Sequence, residues 1–163
     1  MKKTIFILTA IIALFAVSSC KKEPVNEHPL EGVWGFMSSE TIVKNADGTI
    51  LHQDKYDYNP FNPTNSADMK IVITSIGENN YSATSYSWGS DENNWRVQGP
   101  ATKITIKDGN KFYAERVGGE MEEVGTISFS GDTFSIEGKR DILSIDGTPS
   151  GTRYMKEVYK RME

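Results

Sequence analysis

The chain has 163 residues, with 18 lysines and arginines against 22 aspartates and glutamates, and a formal net charge of −4. An acidic chain without a clustered basic face is not expected to bind nucleic acid. A single cysteine excludes a framework of disulfides, and the length suits one domain with one hydrophobic core.

The N-terminal segment, residues 1–19, has the three parts of a secretory signal peptide. Lys2 and Lys3 are followed by an uncharged, mostly apolar run, residues 4–17, and then by Ser18 and Ser19. This order of basic, apolar and small residues is typical of a cleaved signal. A transmembrane helix is the alternative, but it needs about 20 apolar residues and this run is shorter.

The only cysteine, Cys20, directly follows this segment. The sequence Val17-Ser18-Ser19-Cys20 resembles the lipobox of bacterial lipoproteins. That resemblance implies that Cys20 is the lipid attachment site, carrying acyl chains such as palmitate, and that the membrane is a partner. The alternative is an ordinary cleavage site beside a free thiol, which is a liability in an oxidising compartment.

Residues 20–29 are polar and contain two prolines, so they are predicted to be a tether between the anchor and a folded domain. Lys21-Lys22-Glu23 resembles, in part, the export signal of surface lipoproteins of Bacteroidetes. We therefore expect a lipid-anchored protein of the outer membrane. Both a periplasmic and a surface-facing orientation remain open.

From residue 30 onward, short runs of alternating apolar and polar residues are separated by turn dipeptides such as Asp47-Gly48, Asp108-Gly109 and Asp146-Gly147. The runs predict strands at 33–44, 49–58, 69–76, 81–88, 102–107, 111–117, 122–130, 133–137, 141–145 and 152–161. No long helical pattern lies between them. The predicted fold of residues 30–163 is therefore all-β, an antiparallel meander of about 8 to 10 strands that closes into a barrel.

Apolar residues two positions apart identify the inward face of several strands. The pairs are Trp34 and Phe36, Ile71 and Ile73, Ile104 and Ile106, Ile127 and Phe129, and Phe134 and Ile136. The C-terminal stretch GTRYMKEVYKRME also fits helical spacing. A closing strand is the preferred prediction, because a meander needs its last strand to cover the edge of the first.

The start of the domain, Leu30-Glu31-Gly32-Val33-Trp34, resembles the opening of a lipocalin-like domain. The layout of acylated cysteine, tether, Gly-x-Trp element and meander is similar to that of the lipocalin-like lipoproteins of Bacteroidetes. This resemblance implies a lipocalin-like barrel that binds a small ligand. It also implies that Trp34 closes one barrel end by packing on a basic residue of the last strand, with Arg153 and Arg161 as candidates.

Catalytic groups are scarce in this sequence. It has two histidines, of which His28 lies in the predicted tether and His52 is interpreted as a polar strand residue. The carboxylates Glu120, Glu122 and Glu123 could form an acid and base pair, but they are interpreted as a solvated edge. We therefore expect no enzyme activity, no metal site and no cofactor.

Aromatic residues supply better candidates for ligand binding. Two groups lie near predicted loops: Tyr86, Trp88 and Trp95 beside GSDENN, which suit a sugar, and Phe61 in NPFNPTN, which could form a lid over the barrel mouth. The alternatives are ordinary packing of the tryptophans and a loop folded down as a cover. With the inward-facing Trp34 and Phe36, these form the predicted ligand-binding set.

The sequence therefore favours a membrane-anchored, lipocalin-like lipoprotein that binds a small hydrophobic or amphipathic ligand in its barrel. The alternative function is a surface interaction or glycan-binding module that uses the loop aromatics. The sequence identifies neither the ligand nor the oligomeric state.

Overall fold

The computed structural model describes residues 29–162. The predicted signal peptide, Cys20 and the tether up to residue 28 lie outside the described residues. The structure has ten strands: β1 (Gly32–Asn45), β2 (Ile50–Asp57), β3 (Met69–Gly77), β4 (Asn80–Gly89), β5 (Asn94–Val97), β6 (Thr102–Lys107), β7 (Lys111–Glu115), β8 (Met121–Ser130), β9 (Thr133–Leu143) and β10 (Pro149–Arg161). Within this range, no helix has the length and apolarity needed to cross a bilayer.

Eight of these strands form a closed antiparallel barrel, as the alternating sequence predicted. The order around the barrel is β1-β3-β4-β6-β7-β8-β9-β10, and β10 returns to pair with β1 from Trp34↔Arg161 to Asn45↔Gly151. The C-terminal stretch is thus a closing strand. Closure leaves neither β1 nor β10 as an open edge in the barrel.

The two remaining strands extend hairpins beyond the barrel wall. β2 pairs with the second half of β1, while β3 takes the first half. β5 pairs with the end of β4 in the same way, while β6 takes its beginning. β1 and β4 are therefore each long enough to pair with two different strands along the same edge. Both hairpins project at the same end of the barrel.

Two details of the predicted strand list were wrong. β5 was not predicted, because it is short and lies in a polar stretch. Of its four residues, Trp95 and Val97 are apolar. Residues 133–137 and 141–145 were predicted as separate strands, but β9 runs without a break from Thr133 to Leu143. Gly138 interrupts the alternation there and resembles a turn, although it lies inside the strand.

The core fills one end of the barrel. Leu30 and Trp34 are 0% and 1% exposed, and the Trp34 indole N–H donates a hydrogen bond to the Leu30 carbonyl oxygen at 2.8 Å. The Arg161 guanidinium lies 4.3 Å from the centre of a Trp34 ring, so the predicted contact with a basic residue of the last strand is made by Arg161. This end is closed by side chains.

The loop at 58–68 is fixed by a buried aspartate. The Asp68 carboxylate accepts hydrogen bonds from the backbone N–H groups of Asn59, Thr64 and Asn65 at 2.8, 2.9 and 3.3 Å. Burial opposes ionisation and raises the pKa of Asp68, but these N–H groups more than offset it, so the pKa lies below its ordinary value. The Asp68 side chain thus connects the two ends of this loop.

Candidate functional site

A cavity of about 240 Å³ occupies the interior of the barrel. Its walls are mostly apolar and include Ile71, Ile73, Ala83, Ile104, Phe112 and Ile136. These side chains alternate with outward residues along their strands, which is why the period of two in the sequence produces an apolar interior.

Polar side chains line the cavity nearer its open end. Along β4, Ser85 lies one inward step beyond Ala83, and along β6, Thr102 lies one inward step before Ile104. Because these strands run antiparallel, both steps lead away from the end closed by Trp34. The cavity is therefore amphipathic, with an apolar depth and a polar approach.

A carboxylate and a phenol from β10 also face this cavity. Glu157 and Tyr159 both line it, and the Tyr159 hydroxyl donates a hydrogen bond to Glu157 Oε2 at 2.9 Å. The Tyr159 ring stacks on Phe134, with ring centres 4.6 Å apart and planes at 15°. Burial, then the nearby Glu157 charge and its hydrogen bond, raise the pKa of Tyr159 well above its ordinary value. Tyr159 is therefore a neutral hydrogen-bond donor at physiological pH.

Charged residues follow on the inward face toward the barrel mouth, among them Arg116, Glu122 and Arg140. Arg116 lies two residues beyond the cavity-lining Ala114, and Glu122 pairs with Ala114 in the neighbouring strand. Glu122 forms ion pairs with both Arg116 and Arg140, the latter at 3.0 Å. The two arginine side chains are about half exposed, so solvent screens this group.

Among the predicted ligand-binding residues, Trp34 and Phe36 lie on the inward face of β1. Trp34 is part of the plug that closes the barrel end. Phe36 stacks on Tyr58 and contacts Tyr159, with ring centres 4.6 and 5.1 Å apart. Both belong to the aromatic packing around the cavity and do not form its immediate wall.

Tyr86, Trp88 and Trp95 lie together on the outer face. Tyr86 follows the inward-facing Ser85, and Trp88, two residues on, pairs with Trp95 and meets its ring edge-on at 5.3 Å. The Lys70 ammonium group lies 4.7 Å from the Trp95 ring centre and 5.5 Å from that of Tyr86. These aromatics form a packed surface cluster separate from the cavity.

Phe61 also lies away from the cavity. Its ring is 48% exposed, and the Lys160 ammonium group lies 5.9 Å from its centre. The neighbouring Pro60 is buried against Gly35, which faces outward because Trp34 faces inward. The loop at 59–65 thus covers the outer wall, as in the alternative interpretation of this segment.

The acidic candidates considered for catalysis are dispersed. Glu122 is bound by two arginines, whereas Glu123 accepts a hydrogen bond from the Tyr113 hydroxyl at 3.0 Å. His52 is exposed and pairs with Asp54 two residues along β2. Within residues 29–162, no group of three or more His, Cys, Asp or Glu side chains could hold a metal ion.

The sequence interpretation did not identify four polar residues that line the cavity: Ser85, Thr102, Glu157 and Tyr159. Glu157 and Tyr159 are two positions apart, so a closing strand must place them on one face. This two-residue spacing was visible in the sequence. It did not identify an inward face, because an acidic residue on that face breaks the apolar alternation by which a core face is recognised.

No protein-family model matches this chain, and no curated protein matches it. Among solved structures, it is similar to a de novo designed, fluorescence-activating β-barrel at 15% sequence identity and a TM-score of 0.40. The match covers 83% of this chain and 96% of the designed one.

Proposed function

We propose that this chain is a lipid-anchored, lipocalin-like lipoprotein that binds a small amphipathic ligand inside its barrel. The observation that carries the proposal is the interior cavity of about 240 Å³, apolar in its depth and polar toward its mouth. Convergent polar groups in an apolar pocket are the usual features of a small-molecule site. Protein interiors are otherwise close-packed, so a cavity of this size is a feature that a ligand would fill.

The size of the cavity limits the ligand. At about 240 Å³ it lies just below the range of roughly 300–1,000 Å³ that is usual for drug-sized molecules. The favoured ligand is therefore a compact molecule with one apolar body and one polar group. Its apolar part would contact Ile71, Ile104 and Ile136, and its polar group would lie near Ser85, Thr102 or Glu157.

A titration with hexanol tests binding in the cavity, because this alcohol is small and amphipathic. We expect chemical-shift changes in the NMR spectrum of the wild-type protein for backbone groups around the cavity. Ser85→Leu fills the approach and should weaken hexanol binding by about tenfold or more. Thr84→Leu is the matched control, since Thr84 faces outward on the same strand, and it should leave binding unchanged.

Two results would contradict this function. One is a wild-type protein that shows no shifts with hexanol, nor with the amine or the carboxylate of the same chain length. The other is a Ser85→Leu variant that folds and binds hexanol as tightly as the Thr84→Leu control.

Membrane anchoring is tested separately at Cys20, the sulfur that follows the predicted signal peptide. Two or three acyl chains, at about 0.8 kcal/mol per buried methylene, hold a protein stably on a membrane. We expect the wild-type protein, expressed in a bacterium, to partition into the detergent phase, and Cys20→Ser to partition into the aqueous phase. Equal partitioning of the two proteins would refute the anchor.

The alternative, a glycan-binding surface built from Tyr86, Trp88 and Trp95, has less support. Sugar stacking needs an open aromatic face, but Lys70 lies over Trp95 at 4.7 Å and Trp88 meets Trp95 edge-on. The aromatic rings thus already make contacts with one another and with Lys70.

A further inference from the structure

We infer that the ligand of this cavity carries a protonated amine, which the Glu157 carboxylate binds while the apolar walls hold the rest of the molecule. This inference rests on the proposed function and adds the chemical class of the ligand.

Glu157 has no cationic partner among the side chains of residues 29–162. Its hydrogen bond in this range is the one from the Tyr159 hydroxyl to Oε2, which leaves Oε1 without a donor. A carboxylate can accept hydrogen bonds on both oxygens, and Oε1 is accessible to an incoming donor because no buried side-chain oxygen of the described residues lacks a partner. Glu157 lines the cavity, so a donor for Oε1 would lie inside the lumen.

The basic residues that neighbour Glu157 on β10 are directed elsewhere. Lys156 pairs with Glu137 at 2.6 Å, and Lys160 pairs with Asp132 at 3.4 Å. Arg161 donates to the carbonyl oxygens of Glu31 and Pro29 at the closed end. These three cations are directed away from Glu157, and Arg153, which pairs in register with Arg140, is exposed near the mouth. The negative charge of Glu157 thus faces the lumen without a cationic partner from the described part of the chain.

The arginines at the mouth do not neutralise this charge either. Arg116 and Arg140 both form their ion pairs with Glu122, on the inward face nearer solvent. Their exposed position means that water and salt screen their repulsion of an entering cation. An incoming ammonium group can thus pass them and reach the Glu157 carboxylate.

Tyr159 favours a cation beside Glu157 through its hydroxyl. As a neutral phenol it donates to Glu157 and orients the carboxylate, and it offers no negative charge of its own. Its ring is packed between Phe134 and Phe36, with ring centres 4.6 and 5.1 Å away, so the hydroxyl is held in place. An ammonium group beside Glu157 would therefore meet a carboxylate whose second oxygen is directed by this hydrogen bond.

The test compares three probes of equal chain length, hexylamine, hexanol and hexanoate, by NMR titration of the purified protein at neutral pH. In the wild-type protein we expect hexylamine to bind about tenfold or more tightly than hexanol, and hexanoate to bind most weakly. Glu157→Gln keeps the shape of the side chain and removes its charge. It should weaken hexylamine binding by about tenfold or more and leave hexanol binding within about twofold.

Glu137→Gln is the matched control, because Glu137 pairs with Lys156 on the outer face, and it should bind all three probes as the wild-type protein does. Wild-type binding of hexanol or hexanoate that equals or exceeds that of hexylamine would overturn the inference. That comparison needs no variant, so it decides the matter even if Glu157→Gln does not fold. Failure of the proposed function is different: none of the three probes would then bind the wild-type protein.

Discussion

At the scale of single residues, Tyr159 shows how a buried hydroxyl is coupled to the charge beside it. Its hydroxyl lies 2.9 Å from Glu157 Oε2 inside the barrel, and its pKa is raised well above the ordinary value of 10. When folding raises the pKa of a group, that group stabilises the folded state, and the full effect is present at pH values below the group's pKa in the unfolded chain. That contribution is lost as the pH rises above about 10, because the unfolded chain then releases a proton that the folded chain retains.

Tyr159→Phe therefore has two expected effects. At neutral pH it should lower the free energy of unfolding by about 1.5–3 kcal/mol, since it removes a hydrogen bond to a charged group. Above pH 10, the difference in free energy of unfolding between the two proteins should narrow. The unfolded wild-type chain has then lost the Tyr159 proton and must take it up again to fold, whereas the Tyr159→Phe variant has no such proton. Urea unfolding at several pH values measures both effects. A difference that widens in alkali would contradict the assignment.

Residue-scale reasoning from the sequence reached part of the site. The inward positions of Trp34 and Phe36 follow from their spacing, and so does the common face of Glu157 and Tyr159 once β10 is known to be a strand. The hydrogen bond between Tyr159 and Glu157 could not be predicted, because it depends on the conformations of the two side chains inside a closed barrel.

At the scale of elements, three glycines inside strands let β8, β9 and β10 approach their neighbours closely. A Cβ atom on Gly125, Gly138 or Gly151 would lie within 2.0, 2.2 and 2.3 Å of a backbone oxygen of Glu137, Val124 and Lys44, respectively. Glycine inside a strand often marks a tight bend at a barrel corner or a close backbone approach. Glycine is thus required at these three positions because a side chain would not fit, even though it interrupts the alternation of apolar and polar residues in the sequence.

Gly138→Ala should accordingly destabilise the barrel by about 1–3 kcal/mol or more, as overpacking usually does. Gly131→Asn is the control: Gly131 has an open turn position at φ 58°, a conformation that Asn79 and Asn93 already adopt in this chain. Its effect should be small. Thermal unfolding of the two variants measures the difference, and equal melting temperatures would show that the strands can move apart at Gly138 at little cost.

At the scale of the whole molecule, the barrel is closed by contacts between its two ends in sequence. Arg161 near the C-terminus lies on Trp34 at 4.3 Å and donates to the carbonyl oxygens of Glu31 and Pro29 at 2.9 and 3.2 Å. Gly32 leaves room for this guanidinium, since a Cβ there would lie 2.5 Å from Arg161 Nη1. The start of the domain is therefore held against its end.

Arg161→Met should remove the cation–π contact and both hydrogen bonds while retaining an unbranched side chain. We expect the free energy of unfolding to fall by about 2 kcal/mol or more, and backbone amides near Leu30 to exchange faster with solvent. Arg153→Met on the same strand is the control, because Arg153 is exposed, and it should change neither. Equal hydrogen exchange near Leu30 in the two variants would contradict a role for Arg161 in closure.

The sequence by itself determined the fold class, most strand positions and the inward face of several strands, because a strand's period of two is a local property that needs no knowledge of its neighbours. It also carried the prediction of a lipid anchor at Cys20. Tertiary structure alone decided which strands pair, that Gly138 lies inside β9, and that Phe61, Tyr86, Trp88 and Trp95 lie outside the cavity. These outcomes depend on contacts between distant parts of the chain. The cavity itself belongs to this second group, since its volume is the space left when eight strands close around side chains of particular sizes.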